Sequence, residues 1–142
     1  MQVRGAEETG PAPGEDDDAP IIRLINIIIT EGVKARASDI HVEPLEKKLR
    51  IRYRIDGVCK EVDSPPKRLQ GSILSRLKIM ADMDIAEKRL PQDGRIRMSL
   101  LGRDIDLRVS TFPSIYGENM VIRILDRSGG LLKLEEIGRA HV

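Results

Sequence analysis

Leu49-Arg50-Ile51-Arg52-Tyr53-Arg54-Ile55-Asp56-Gly57-Val58-Cys59-Lys60-Glu61-Val62-Asp63 reads as two strands and the turn that joins them. Apolar and charged residues alternate on both sides of Asp56-Gly57, a dipeptide suited to the left-handed backbone of a two-residue hairpin turn. That turn sets the register. Ile51 then faces Val62 and Ile55 faces Val58, which makes a core side. On the other side Arg52 faces Glu61 and Arg50 faces Asp63, opposite-charge pairs worth a few tenths of a kcal/mol each. These describe a solvated, salt-bridged face. Arg54 faces Cys59 and has no acid opposite it.

A second hairpin is expected over residues 94–111, turning at Leu101-Gly102. Its register puts Ile96 opposite Leu107 and Met98 opposite Ile105, again a core side. On the polar side Arg97 faces Asp106 as a satisfied pair, but Arg95 faces Arg108. Like charges directly opposite are destabilising. A shared anion would reverse the sign, and phosphate geometry suits arginine forks. The plain alternative is that the two side chains splay into water or reach acids elsewhere.

The remaining elements follow from periodicity. Asp18 and Pro20 open a helix whose stripe is Ile21, Leu24, Ile25 and Ile28, broadened by Ile22, Ile29 and Val33, and which ends near Arg36. Residues 38–44 alternate as a strand. Ser64-Pro65-Pro66 opens a second helix with Leu69, Ile73, Leu77 and Met80 on one face; it frays near Met83 into a charged connector ending Leu90-Pro91-Gln92-Asp93. Residues 119–125 form a last strand. The fold class expected is α+β: a mainly antiparallel sheet of about six strands with two helices packed on one face.

The chain has 142 residues, room for one domain, and 40% of them are hydrophobic. Residues 1–18 hold almost no large apolar side chains and read as a disordered acidic tail or linker. The domain is expected over 19–127. Residues 128–142 read as a hinge, Ser128-Gly129-Gly130, and the truncated start of another element, with 139–142 a truncation or cloning remnant. One cysteine, Cys59, rules out an internal disulfide and suits a reducing compartment. No segment is apolar enough to span a bilayer, and no signal segment opens the chain. The expected location is the cytoplasm.

Aromatic residues are 2% of the chain, too few for a stacking platform that reads single-stranded nucleic acid. Residues 21–142 carry 23 bases and 17 acids, with arginine preferred over lysine across the chain, 16 to 8. That choice points to anion contact rather than to duplex binding. Asp39, His41 and Glu43 project from one strand face in the manner of metal ligands, but without a cluster of His or Cys they read as structural. A phosphate loop of the form G-x-x-x-x-G-K-[ST] is absent, as is any nucleophile–base pair.

Six segments together carry a resemblance: Ala19-Pro20-Ile21-Ile22-Arg23-Leu24-Ile25-Asn26, Ala37-Ser38-Asp39-Ile40-His41-Val42-Glu43-Pro44, Arg52-Tyr53-Arg54-Ile55-Asp56-Gly57, Leu90-Pro91-Gln92-Asp93-Gly94-Arg95, Asp106-Leu107-Arg108-Val109-Ser110-Thr111-Phe112-Pro113 and Tyr116-Gly117-Glu118. In that order they resemble the bacterial ATPases of type II secretion and type IV pilus assembly, over about residues 19–138. The resemblance implies a PAS-like domain that precedes a RecA-like ATPase domain. It implies ATP and Mg²⁺ as cofactors of the full-length parent, none in this chain, and no ATP hydrolysis by this chain alone. It implies as partners the parent's own RecA-like domain, neighbouring subunits of a hexamer and an inner-membrane platform or assembly protein, with no nucleic acid; the location implied is cytoplasmic and peripheral to the inner membrane. By motif, Arg95 and Arg108 are the arginines that would contact the phosphates of ATP, with Arg97, Arg103, Arg123 and Arg54 as weaker candidates. This mechanism needs both Arg95 and Arg108 free of acids in their own fold. The alternatives are a stand-alone module sensing an anion or cyclic dinucleotide at Arg95 and Arg108, and a weak nucleic-acid binder.

Overall fold

Isoleucine-rich stripes and two tight turns leave few ways to assemble these segments, and the computed structural model, which describes residues 15–126, shows which is taken. The elements are α1 (Glu15–Lys34), β1 (Asp39–Pro44), β2 (Leu49–Ile55), β3 (Val58–Val62), a 3₁₀ turn (Lys67–Leu69), α2 (Gln70–Met80), β4 (Gln92–Leu100), β5 (Arg103–Ser114) and β6 (Gly117–Asp126). All six strands form one antiparallel sheet in the order β3-β2-β1-β6-β5-β4. Two three-strand meanders therefore meet along β1 and β6. The α+β expectation holds. The hinge at 128–130, the segment after it and residues 1–14 of the expected tail lie outside the described residues.

Both turns behave as their sequences require. Asp56 and Gly57 have φ of 52° and 80°, and Leu101 and Gly102 have 54° and 71°, so each hairpin closes through two left-handed residues. The registers follow: Ile51 opposite Val62, Ile55 opposite Val58, Ile96 opposite Leu107 and Arg95 opposite Arg108. The pairing of Arg50 with Asp63 does not form, because β3 ends at Val62.

The first helix starts earlier than expected. It begins at Glu15, which leaves Asp18 and Pro20 inside it rather than at its cap. The helix stops where Arg36 turns left-handed at φ 60° and Ala37 donates to the Gly32 carbonyl at 2.9 Å. Its buried stripe is Ile21, Ile25, Ile29 and Val33, spaced four residues apart; Ile22 falls off it, 37% exposed. Ile73, Leu74 and Leu77 of α2 join the same core, against Ile40, Val42, Ile51, Leu107 and Ile122 of the sheet. Both helices thus cover one sheet face.

Tyr53 ties α1 to that face. Its ring is 5% exposed and its hydroxyl donates to the Ile28 carbonyl at 2.5 Å. Burial, aided by Glu31, pushes the phenol up from its ordinary 10.0 to about 12. The folded state therefore keeps this proton longer than the unfolded chain does. Its contribution is intact below pH 10 and is lost as pH rises towards 12, by about 2–3 kcal/mol if the full shift is realised. Urea unfolding at pH 9 and pH 11.5 should show this extra loss in the native chain and not in Tyr53→Phe.

The Leu90-Pro91-Gln92-Asp93-Gly94-Arg95 segment fastens α2 to β4. The Gln92 amide accepts from Asp84 N–H and donates to the Asp84 carbonyl, both at 2.9 Å, and so closes the connector. Asp93 accepts from Ser110 Oγ at 2.7 Å. Gly94 lies against the C-terminal end of α2: a Cβ there would sit 2.3 Å from the Ala81 carbonyl oxygen. Because that obstacle is backbone, Gly94→Ala is expected to cost about 1–3 kcal/mol, read as a lower urea midpoint.

Candidate functional site

Among the described residues the sheet's other face carries no helix, and register places on it a row that crosses five strands. Arg54 of β2 pairs with Asp39 of β1, Asp39 with Arg123 of β6, Arg123 with Arg108 of β5, and Arg108 with Arg95 of β4. With strands about 4.8 Å apart, four arginines and one aspartate line up over about 19 Å. Asp106 lies one step along β5, on the same face as Arg95 and Arg108. A depression of about 670 Å³ opens over the row's β6-β5-β4 half, lined by Arg95, Arg108, Arg123, Asp93 and Ser110 with the strand backbone between them.

The charges are layered. The carboxylates of Asp39 and Asp106 are each only 7% exposed, while Arg95 and Arg123 above them are 51% and 65% exposed. Arg123 Nε donates to Asp39 Oδ1 at 3.0 Å, and Ser38 Oγ donates to Asp39 Oδ2 at 2.9 Å. Arg54 Nε stands 3.7 Å from Asp39 Oδ2. Arg95 Nη2 donates to Asp106 Oδ2 at 2.7 Å. Arg108 is exposed and has no ion-pair or hydrogen-bond partner among the described residues.

This overturns one expectation, and with it the condition set for the two-arginine mechanism. Arg95 was to be free of acids, with Asp106 belonging to Arg97; instead Arg95 reaches diagonally to Asp106, so that of the two only Arg108 meets the condition and Arg95 can act on a phosphate only after release. Arginine is long enough for the diagonal neighbour of an antiparallel pair, and sheet twist brings one diagonal closer. Arg97 is exposed beyond it, without an ion pair among the described residues. Arg103 is elsewhere: register puts it at the hairpin end on the helix-bearing face, 3.2 Å from Asp126 Oδ2. Of the six arginines singled out, the row unites Arg54, Arg123, Arg108 and Arg95.

The salt-bridged flank also differs in its partners. Arg52 is opposite Glu61 in register, yet both Arg50 and Arg52 bind Glu43 across β1, at 2.9 and 2.7–2.8 Å. Glu61 pairs with Lys48 instead. Burial alone would raise the Glu43 carboxyl, but hydrogen bonds from Arg52 and Arg50 outweigh it and hold it below the usual carboxylate range. The nearby His41 imidazole is pushed below its ordinary value by burial, with Glu43 opposing. Asp39 and Glu43 are thus committed to arginines rather than arranged around a metal.

One buried feature escaped the sequence reading. Lys78 Nζ lies 2.6 Å from Glu118 Oε1, with side chains 2% and 6% exposed, and also donates to the Glu87 carbonyl at 2.6 Å. Glu118 Oε2 has no hydrogen-bond partner among the described residues. The signal was present: Lys78 continues the apolar face of Leu74, Leu77 and Ala81 at helical spacing.

The family described as Type II/IV secretion system protein matches residues 14–141, and the chain belongs to it. Type II secretion system protein E of Pseudomonas aeruginosa is 52% identical over 134 residues, 94% of this chain and 27% of that protein. Type II secretion system protein E of Dickeya dadantii is 55% identical over 126 residues, 89% of this chain and 25% of that protein. Type IV pilus assembly ATPase PilB of Myxococcus xanthus is 53% identical over 123 residues, 86% of this chain and 22% of that protein. The chain spans about a quarter of the length of these relatives.

Proposed function

We propose that this chain is the regulatory and assembly domain of a hexameric ATPase that powers type II secretion or type IV pilus assembly. Its arginine row faces the triphosphate of ATP held with Mg²⁺ by a RecA-like domain of the same parent or of a neighbouring subunit. The observation that carries this reading is a sheet face that bears no helix among the described residues, with Arg108 between Arg95 and Arg123 and without an ion-pair partner among them. Family membership and the relatives' printed names support the process and the ATPase.

The chemistry assigned to the face is electrostatic. Bound ATP supplies a triphosphate on which negative charge shifts during transfer of the terminal phosphoryl group. Arg108 neutralises part of that charge with no internal acid to compete. Arg95 and Arg123 join once they leave Asp106 and Asp39, and Arg54 extends the row towards β2. Mounting these groups on a rigid sheet lets one domain movement bring all of them to the phosphates together, so closure completes the site. The stroke would reach an inner-membrane platform or assembly protein from the cytoplasmic side. Among the described residues no helix is long and apolar enough to cross a membrane. Substituting the arginines singly in the full-length protein and measuring ATP turnover tests this; unchanged turnover in both Arg95→Ala and Arg108→Ala overturns it.

A further inference from the structure

Asp39 and Asp106 lie where a bound polyphosphate would compete with them. Each is a buried carboxylate with an exposed arginine laid over it: Arg123 on Asp39 at 3.0 Å and Arg95 on Asp106 at 2.7 Å. The guanidiniums can swing out without unpacking anything, whereas the carboxylates are fixed in the sheet. Both held arginines flank Arg108 within the one depression. We propose that Asp39 and Asp106 are placeholders, which hold Arg123 and Arg95 while the face is empty and yield them to a polyphosphate, so that binding proceeds by exchange of partners. This rests on the phosphate-facing role of the row.

The geometry allows the exchange. The guanidinium of each pair is half exposed or more, so a multiply charged competitor can reach it from solvent. Asp39 is not stranded when Arg123 leaves, because Ser38 Oγ at 2.9 Å and Arg54 Nε at 3.7 Å remain beside it. Arg108 gives an incoming phosphate a first contact that needs no exchange. The opposite role is equally definite: carboxylates that orient the arginines for the ligand would strengthen binding, not oppose it.

Titrating the 142-residue chain with inorganic tripolyphosphate at low ionic strength separates the two roles, with arginine guanidinium N–H resonances as the readout. Asp39→Asn and Asp106→Asn should each tighten binding about two- to fivefold. In the native chain the Arg123 Nε–H and Arg95 Nη2–H signals should move from ion-paired positions as ligand saturates. Weaker or unchanged affinity in the asparagine variants overturns the placeholder role, as does a complete lack of binding in them. Thermal melts check folding; should Asp106→Asn not fold, Asp39→Asn and the native Arg123 signal decide. Arg108→Ala distinguishes this proposal from the reading beneath it. If it leaves tripolyphosphate affinity unchanged, the phosphate-facing row fails. If it abolishes binding while the asparagine variants bind no tighter, only the placeholder fails.

Discussion

Arg108→Ala in the full-length protein is expected to lower ATP turnover by about 10²-fold or more while the melting temperature stays within experimental error. The magnitude is that of removing one preorganised donor from developing negative charge in a site that excludes water. The stability half follows from position: Arg108 is exposed and bonded to nothing among the described residues, so its loss removes no internal contact. Arg95→Ala should also lower turnover, but by less, because the native guanidinium must first leave Asp106, and the substitution removes the 2.7 Å hydrogen bond from Arg95 to a largely buried carboxylate. That variant should therefore melt lower as well. Arg97→Ala, one row away, should change turnover little. A turnover assay on the three variants with parallel thermal melts checks the set, and equal effects at Arg97 and Arg108 would remove the reason for choosing the row.

The largest stability effect is expected at Lys78. Replacing it with Met leaves the Glu118 carboxylate buried without its cation, and breaking such a pair typically costs about 3–5 kcal/mol. The Glu87 carbonyl loses its donor in the same step. Unlike an arginine on the outer face, Lys78 cannot be replaced by water, since its side chain is only 2% exposed. The double variant Lys78→Met, Glu118→Leu removes both charges and should regain most of the loss, because an apolar pair of similar volume is often as stable as a buried ion pair. Urea unfolding of both single variants and the double closes the cycle. Additive losses would mean that the two side chains do not act as a pair.

What sequence could reach was set by distance along the chain. Asp56-Gly57 and Leu101-Gly102 fix their hairpins locally, so the opposition of Arg95 and Arg108 was readable from spacing alone. The row was not, because Asp39 and Arg123 are 84 residues apart and meet only through the β1–β6 pairing. The same pairing logic hid the partners of Arg50 and Arg52: Glu43 comes from β1, whose register on β2 no turn of two residues dictates. Arg95 was misassigned for a different reason. Register names the residue directly opposite, while a long side chain chooses among diagonal neighbours as well. The early start of α1 reflects a third limit, since the acidic, apolar-poor run 15–18 resembles a solvated tail as much as a first helical turn.

The meeting line of the two meanders has a mechanical consequence. The β1–β6 ladder has four residue pairs, Asp39 with Arg123 at one end and Val42 with Met120 at the other. The chain enters β1 and leaves β6 at the same end, where Ile124 N–H also binds the Ser38 carbonyl at 2.9 Å. Tension drawn directly between those two points would load the hydrogen bonds one after another, like a zipper, instead of sharing the load in shear. The bond from Ile124 N–H to the Ser38 carbonyl is the first tooth, and the Asp39–Arg123 pair the next. A domain that transmits force is thus better pushed as a block, through its broad faces, than pulled by its strand ends, and α1, packed on the helix-bearing face ahead of β1, keeps an incoming pull from reaching that first tooth directly.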